Sequence, residues 1–207
     1  MKLPHDSFTG TLVTGFLLSL LLVVVFGEYQ LADLERAMEA ASVDAVLRWL
    51  HVLAGMVWIG HNYAGLVLVP IFRPWNPAQD QGEVTTSSYM GRQTREHAIF
   101  RYSSVVAWVT GMLMLWRQEG MLVEALTLSG YAAPIGAATW IGTIMLANLW
   151  LIMWPHQKKV LGFVSAPDEE RIRCSRITFL SARTNTILSI PLILLMVAVP
   201  HAPGIFE

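Results

Sequence analysis

Long apolar runs separated by short polar segments dominate the hydrophobic pattern of this chain. A helix of about 20 apolar residues is long enough to cross the hydrocarbon core of a bilayer. Five runs reach this length, and we predict spans at residues 9–27, 45–71, 98–116, 134–155 and 180–200. The pattern therefore predicts an all-α integral membrane protein in which about five transmembrane helices form a bundle.

The segment between the first two predicted spans has a different pattern. In EYQLADLERAMEAASVDAV, apolar residues recur at helical spacing at Leu31, Leu34, Met38 and Ala41. Acidic residues lie on the other side of the same helix. This spacing predicts a short amphipathic helix at the membrane surface. We interpret the first span as a retained anchor because its run is long for a signal peptide. Residues 1–44 are then an anchor with an interfacial helix, and residues 45–207 are a four-helix membrane bundle.

The remaining polar segments are predicted to connect the spans. Residues 72–96 are rich in Pro, Gln, Thr and Ser and include RPWNP, which predicts a loop. SAPDEERIR begins a second polar connector, with a helix cap expected at Ser165 or Asp168.

Composition supports lipid as the solvent of these helices. The chain has 207 residues, of which 54% are hydrophobic and 14% are charged, and soluble domains carry about 25% charged residues. The net charge of −1 and the lack of a basic tract give no indication of nucleic-acid binding. The single cysteine, Cys174, excludes a disulfide within the chain, and no C-x-x-C-H motif is present for covalent c-type haem attachment.

The distribution of basic residues predicts the orientation. All of the 14 Lys and Arg residues except Arg36, Arg48 and Arg117 would lie on one side of the five spans. Basic residues concentrate on the cytoplasmic side of membrane proteins. The N-terminus is therefore predicted to be cytoplasmic and the C-terminus periplasmic, in a multi-pass protein of a bacterial inner membrane.

The second span carries polar residues that are costly in lipid. At 100° per residue, one helix face collects His51, Gly55, Trp58, Asn62 and Gly65. A haem needs an axial imidazole, a slot without bulky side chains and aromatic walls, and this face has all three. The alternative is a glycine-rich helix contact in which the histidine only bonds a neighbouring helix.

Depth in the membrane suggests how the other histidines pair. His61 follows His51 by about 15 Å along the helix and points elsewhere, so the two cannot share one iron. His201 is expected at the outer depth of His51, and His97 at the inner depth of His61. One or two b-type haems are therefore possible, with Arg183 available for a haem propionate or a lipid phosphate.

Four segments in order resemble the membrane domain of the bacterial membrane-bound urate oxidase family. They are RWLHVLAGMVWIG, FRYSSVVAWVTGMLML, ANLWLIMWPHQKKVL and ARTNTILSIPLILLMVAVPH, which together cover roughly residues 47–201. The resemblance implies a haem-associated membrane domain that passes electrons to a c-type cytochrome, with His51, His97 and His201 at the positions of the family's histidines. His61 stands where that family usually has a small or apolar residue. No pattern in the chain indicates a polar pocket for a charged purine.

These observations lead to one functional prediction and two alternatives. We expect a haem b electron-transfer protein that acts as a subunit of a respiratory or oxidase complex with a c-type cytochrome partner, rather than as a self-contained enzyme. His51 is the expected first axial ligand, and His201 or His97 the second. The alternatives are a cofactor-free accessory subunit whose histidines bond between helices, and a haem enzyme similar to the HemJ type of protoporphyrinogen oxidase.

Overall fold

The computed structural model describes residues 7–26, 43–76 and 87–201. Its elements are helices α1 (Phe8–Phe26), α2 (Val43–Leu68), α3 (Ser87–Arg117), α4 (Met121–Thr127), α5 (Ala133–Ala147), α6 (Trp154–Val160) and α7 (Asp168–His201). A short 3-10 turn, Gly130–Ala132, precedes α5, and a π-helical turn, Asn148–Met153, joins α5 to α6. No strand occurs in these described residues, so the predicted all-helical fold is confirmed there.

Four helical segments are long and apolar enough to cross a membrane. They are Val43–Leu68, Arg95–Arg117, Gly130–Val160 and Asp168–His201. They contain three of the five predicted spans and most of a fourth, since the second span was predicted to reach residue 71 and α2 ends at Leu68. Large apolar side chains on their outer faces are open, with Val67 76% and Leu151 74% exposed. Exposure of this extent suits lipid and is unfavourable in water.

The chain divides into two compact units, Met1–Ala45 and Val46–Glu207. The first unit contains α1, whose start is capped where Ser7 Oγ accepts the Gly10 amide at 3.0 Å. Its apolar stretch, Thr9–Leu22, is shorter than the four candidate spans, and α1 as a fifth span stays a prediction. The predicted interfacial amphipathic helix lies mostly outside the described residues.

Two boundaries differ from the sequence-based expectation. The predicted loop 72–96 is too long, because α3 already begins at Ser87. Arg, Gln and Glu in this stretch have high helix propensity although they are polar. The prediction was based on apolar runs, so it could not detect a polar extension at the start of α3. The fourth span was predicted to end at Pro155, but the helix continues to Val160. Pro155 follows Trp154 in the first turn of α6, a position where proline is tolerated, and the π-helical turn ends just before them at Met153.

The core of the second unit lies between α5, the π-helical turn and α7. Met145, Leu149 and Asn185 are fully buried there. Asn148 Nδ2 donates to Asn185 Oδ1 at 2.8 Å and to Ser181 O at 2.9 Å. These bonds tie the π-helical turn to α7 in a region where water is not available as an alternative partner.

A second close contact holds α4 against α5. A Cβ placed on Gly136 would lie 2.1 Å from the backbone oxygen of Ala125, so only glycine allows this approach. Ala125 and Ala132 are fully buried beside it. Small residues let helix backbones approach each other in membranes, and here they fix the start of α5.

Candidate cofactor site and a second polar cavity

The predicted polar face of α2 packs into the bundle. Trp58 and Asn62 are each 4% exposed, and His51 is half-buried. Two cavities lie along this face. His51, Gly55 and Trp58 line the first cavity, and Asn62 and Gly65 line the second. The residues that the sequence placed on one helical stripe therefore serve two separate sites.

The ring orientation of His51 follows from a contact with α3. His51 Nδ1 lies 2.7 Å from the backbone oxygen of Ala107. A carbonyl oxygen only accepts, so Nδ1 carries the hydrogen and Nε2 carries the lone pair. Metal-bound histidines are commonly held in this way, with the second ring nitrogen donating to a carbonyl. Nε2 has no hydrogen-bond partner among the described residues, so its lone pair is available to a ligand.

Gly111 makes the room for this imidazole. A Cβ at position 111 would lie 3.0 Å from His51 Cε1 and 3.2 Å from Nδ1. Such distances are shorter than ordinary carbon contacts of about 3.5–4.0 Å. The sequence did not single out Gly111, because nothing in the pattern of α3 shows which of its residues faces position 51.

The first cavity has the size and lining of a cofactor site. Its volume is about 490 Å³, within the roughly 300–1,000 Å³ typical of ligand pockets. Glycines and aromatic residues contribute to its walls, in particular Gly55, Gly142, Trp58 and Trp108. Most of the remaining lining is aliphatic. The cavity therefore combines one imidazole with glycine-rich, apolar walls.

The expected second axial ligands do not line this cavity. His201 is exposed at the end of α7, and no contact described in the structure joins it to His51. His97 lines the other cavity. Three methionines line the first cavity instead, namely Met56, Met112 and Met196. A thioether can serve as the second axial ligand of a haem, so these methionines are candidate ligands that were not predicted from the sequence.

The predicted inner pair, by contrast, is brought together. The rings of His61 and His97 meet edge to face with centroids 5.9 Å apart, and His61 stacks on Phe100 at 4.3 Å. Gln157 Nε2 lies 3.2 Å from His97 Nδ1. His97 and Gln157 are both more than nine-tenths buried. The second cavity therefore has a buried polar end.

The second cavity is smaller and much more polar than the first. Its volume is about 300 Å³, and its polar lining includes His61, Asn62, His97, Gln157, Arg73 and Arg183. No pattern in the sequence indicated a polar pocket, and the structure nevertheless brings these polar side chains together. The sequence could not show this pocket because its side chains come from distant segments of the chain.

Several polar atoms of the second cavity have no partner in the described part of the chain. They are Asn62 Nδ2, Gln157 Oε1 and one terminal nitrogen of Arg183. Arg183 also donates a hydrogen bond to Val69 O, which joins the end of α2 to α7. Buried polar groups are usually satisfied, so unpaired atoms around one cavity indicate a polar occupant.

Comparison with known families covers the second half of this bundle. The model of the urate oxidase N-terminal family matches residues 101–207. This chain belongs to the urate oxidase N-terminal family. The matched region contains most of α3 and all of α4 to α7, including Arg183 and His201, whereas His51, His61 and His97 precede it. No curated protein and no solved structure matches the chain.

Proposed function

We propose that this urate oxidase N-terminal family member is a haem b protein that carries electrons within a membrane complex. The observation that carries the proposal is the His51 imidazole, whose Nδ1 bonds Ala107 O at 2.7 Å while Nε2 remains available at a 490 Å³ cavity. A haem bound there would supply a one-electron carrier. The chain itself would supply the axial imidazole and its orientation.

The apolar walls of the first cavity have a defined role in this proposal. Leu192, Ile59 and Ala138 line the cavity and would exclude water from a bound haem. The reduction potential of a haem depends on its burial and on its axial ligands. A methionine among the lining residues would complete the coordination. No bond of a substrate needs to be made or broken in this chain.

Topology and partners complete the proposal. The basic residues would place the Arg183 end of the bundle at the cytoplasmic face of a bacterial inner membrane. The first cavity would then lie toward the periplasmic half, where a c-type cytochrome can accept electrons. The large apolar outer surface is available for lipid and for other subunits of a complex.

The test is haem content and a reduced-minus-oxidised spectrum of the purified chain, measured beside His51→Ala. We expect a b-type pyridine haemochrome in the wild type and its loss in His51→Ala. His156→Ala is a matched control, because His156 Nδ1 also contacts a backbone oxygen, Ile152 O, at 2.6 Å but lines neither cavity. A folded wild-type protein without haem would refute the proposal and leave an accessory subunit.

A second pair of variants separates an occupied cavity from helix packing. A Cβ on Gly55 or on Gly65 would meet no atom within 4 Å, so leucine at either position should be compatible with the fold. Gly55→Leu would enter the first cavity and should lower haem content, whereas Gly65→Leu would enter the second and should not. Equal haem content in both variants would contradict the placement of haem in the first cavity. Oxidation of protoporphyrinogen by the wild type would favour the enzyme alternative.

A further inference from the structure

The second cavity lies in a region where basic side chains outnumber acidic ones, and Glu96 is the acidic residue that acts on His61. Arg73 and Arg183 line it, and no Asp or Glu is among its lining residues in the described part of the chain. Two further arginines of α7 lie close by, Arg171 over the Trp75 ring and Arg176 over the Phe72 ring. Among the described residues, Lys159 and Glu170 form an ion pair at this end of the bundle, and it includes none of these arginines. Such a region attracts anions.

The deep end of the cavity adds hydrogen-bonding groups. Asn62 is 4% exposed, lines the cavity and has no partner for Nδ2 among the described residues. Gln157 is 8% exposed, and its Oε1 is also unpartnered. Leaving such groups unsatisfied in a membrane interior is costly. An occupant with several acceptor oxygens would satisfy the Asn62 amide and the free nitrogen of Arg183.

The cavity also reaches the apolar outer surface. Leu66 and Val69 line it at the end of α2, and they are 38% and 46% exposed. Phe72 continues this wall and packs against Phe179, with ring centroids 5.4 Å apart. The mouth thus combines apolar side chains with arginines, as expected where lipid headgroups meet the hydrocarbon core.

We propose that the second cavity binds the phosphate group of an anionic ligand. Arg73 and Arg183 contact the phosphate oxygens from the α2 end and from α7, and Asn62 donates from the deep end. Arginine suits phosphate because its planar guanidinium donates two parallel hydrogen bonds. The oxygens of a phosphate are arranged tetrahedrally, so they can accept from groups on different sides of the cavity, whereas both oxygens of a carboxylate lie in one plane. This proposal does not depend on haem in the first cavity.

The phosphate can come from a lipid headgroup or from a soluble phosphate ester, and the experiment distinguishes the two. The full chain is purified in detergent, and its melting temperature is followed during titration with phosphatidylglycerol, phosphatidylcholine with the same acyl chains, glycerol 3-phosphate or succinate. We expect stabilisation by phosphatidylglycerol beyond that by phosphatidylcholine. Native mass spectrometry should then show one retained phosphatidylglycerol per chain. Stabilisation by glycerol 3-phosphate would assign the same site to a soluble ester.

Arginine variants connect any stabilisation to this cavity. Arg73→Gln should weaken the apparent binding at least tenfold, and the double variant with Arg183→Gln should abolish it. Because Arg183 also bonds Val69 O, Arg73→Gln is the variant that tests binding without removing a described helix contact. Arg48→Gln is the control, since Arg48 is exposed near the start of α2 and lines neither cavity.

Three results would overturn the proposal. The first is an equal phosphate effect in the wild type and the double variant. The second is stabilisation by succinate that matches that by the phosphate ligands. The third is a loss of haem in Arg73→Gln without any effect of phosphate, since the arginines would then serve haem propionates. Because haem content is measured separately with His51→Ala, a failure here is distinguishable from a failure of the haem proposal.

Discussion

Gly111→Ala tests whether the position of the His51 ring matters for cofactor binding. The change adds one methyl group on α3 and alters no polar atom. That methyl carbon would lie 3.0 Å from His51 Cε1 and 3.2 Å from Nδ1. Any effect on haem would therefore come from displacement of the imidazole.

The size of the displacement follows from the contact distances. Carbon atoms pack best at about 3.5–4.0 Å, so the ring must retreat by about 0.5 Å or more. A retreat of this size along the bond to Ala107 O would lengthen it from 2.7 Å to about 3.2 Å, the limit for such bonds. The weakened bond costs about 0.5–1.5 kcal/mol, and alanine in place of glycine in a helix returns about 1 kcal/mol. Stability should therefore change by less than about 1 kcal/mol.

Haem affinity should respond much more strongly than stability. Loss of the group that orients a metal ligand typically costs about 10–100-fold in affinity. The assay is a titration of haem into the apoprotein in detergent, followed by Soret absorbance, with melting temperatures measured in parallel. Gly15→Ala is the control, because its Cβ meets no atom within 4 Å and Gly15 lines neither cavity. A folded Gly111→Ala protein with wild-type haem affinity and spectrum would refute the reasoning.

Two further predictions concern stability. Gly136→Ala should destabilise the protein by about 3 kcal/mol or more, because the added methyl group would lie 2.1 Å from Ala125 O. Gly60→Ala is the control: its added methyl group would have no atom within 4 Å, so this variant should melt at the wild-type temperature. Asn148→Ala should cost about 1–2 kcal/mol in unfolding free energy, because it leaves the buried Asn185 Oδ1 without its donor. A double-mutant cycle with Asn185→Ala in chemical denaturation measures this coupling, and additive effects would show that the bond contributes nothing.

The apolar pattern was sufficient to predict the helices. Three of the predicted spans lie within helices of the structure, and a fourth extends three residues beyond its helix, which ends at Leu68. This agreement is expected because a bilayer sets a minimum apolar length and satisfies no backbone group. Helical periodicity was also sufficient to place Trp58 and Asn62 on the buried face of α2. Such features depend on neighbouring residues along the chain, and they are readable without knowledge of the fold.

Contacts between distant residues could not be predicted in this way. His51 is held by Ala107 and accommodated by Gly111, 56 and 60 residues away in the sequence, and no local pattern connects them. Depth alone paired His61 with His97 successfully, but it also paired His51 with His201, which the structure leaves exposed at a helix end. Depth constrains position along the membrane normal, and the packing angle and rotation of each helix decide which side chains meet.

The second cavity is another feature that the sequence alone could not predict. The sequence contains Asn62, His97, Gln157 and Arg183, but these residues come from four different helices, and the linear pattern separates them. Each of them alone reads as an isolated polar residue near the end of a span. Their shared cavity arises because α2, α3, α6 and α7 converge at one end of the bundle. The hydrophobic pattern of the sequence predicts which helix faces are buried, but it does not predict which side chains of other helices lie next to them.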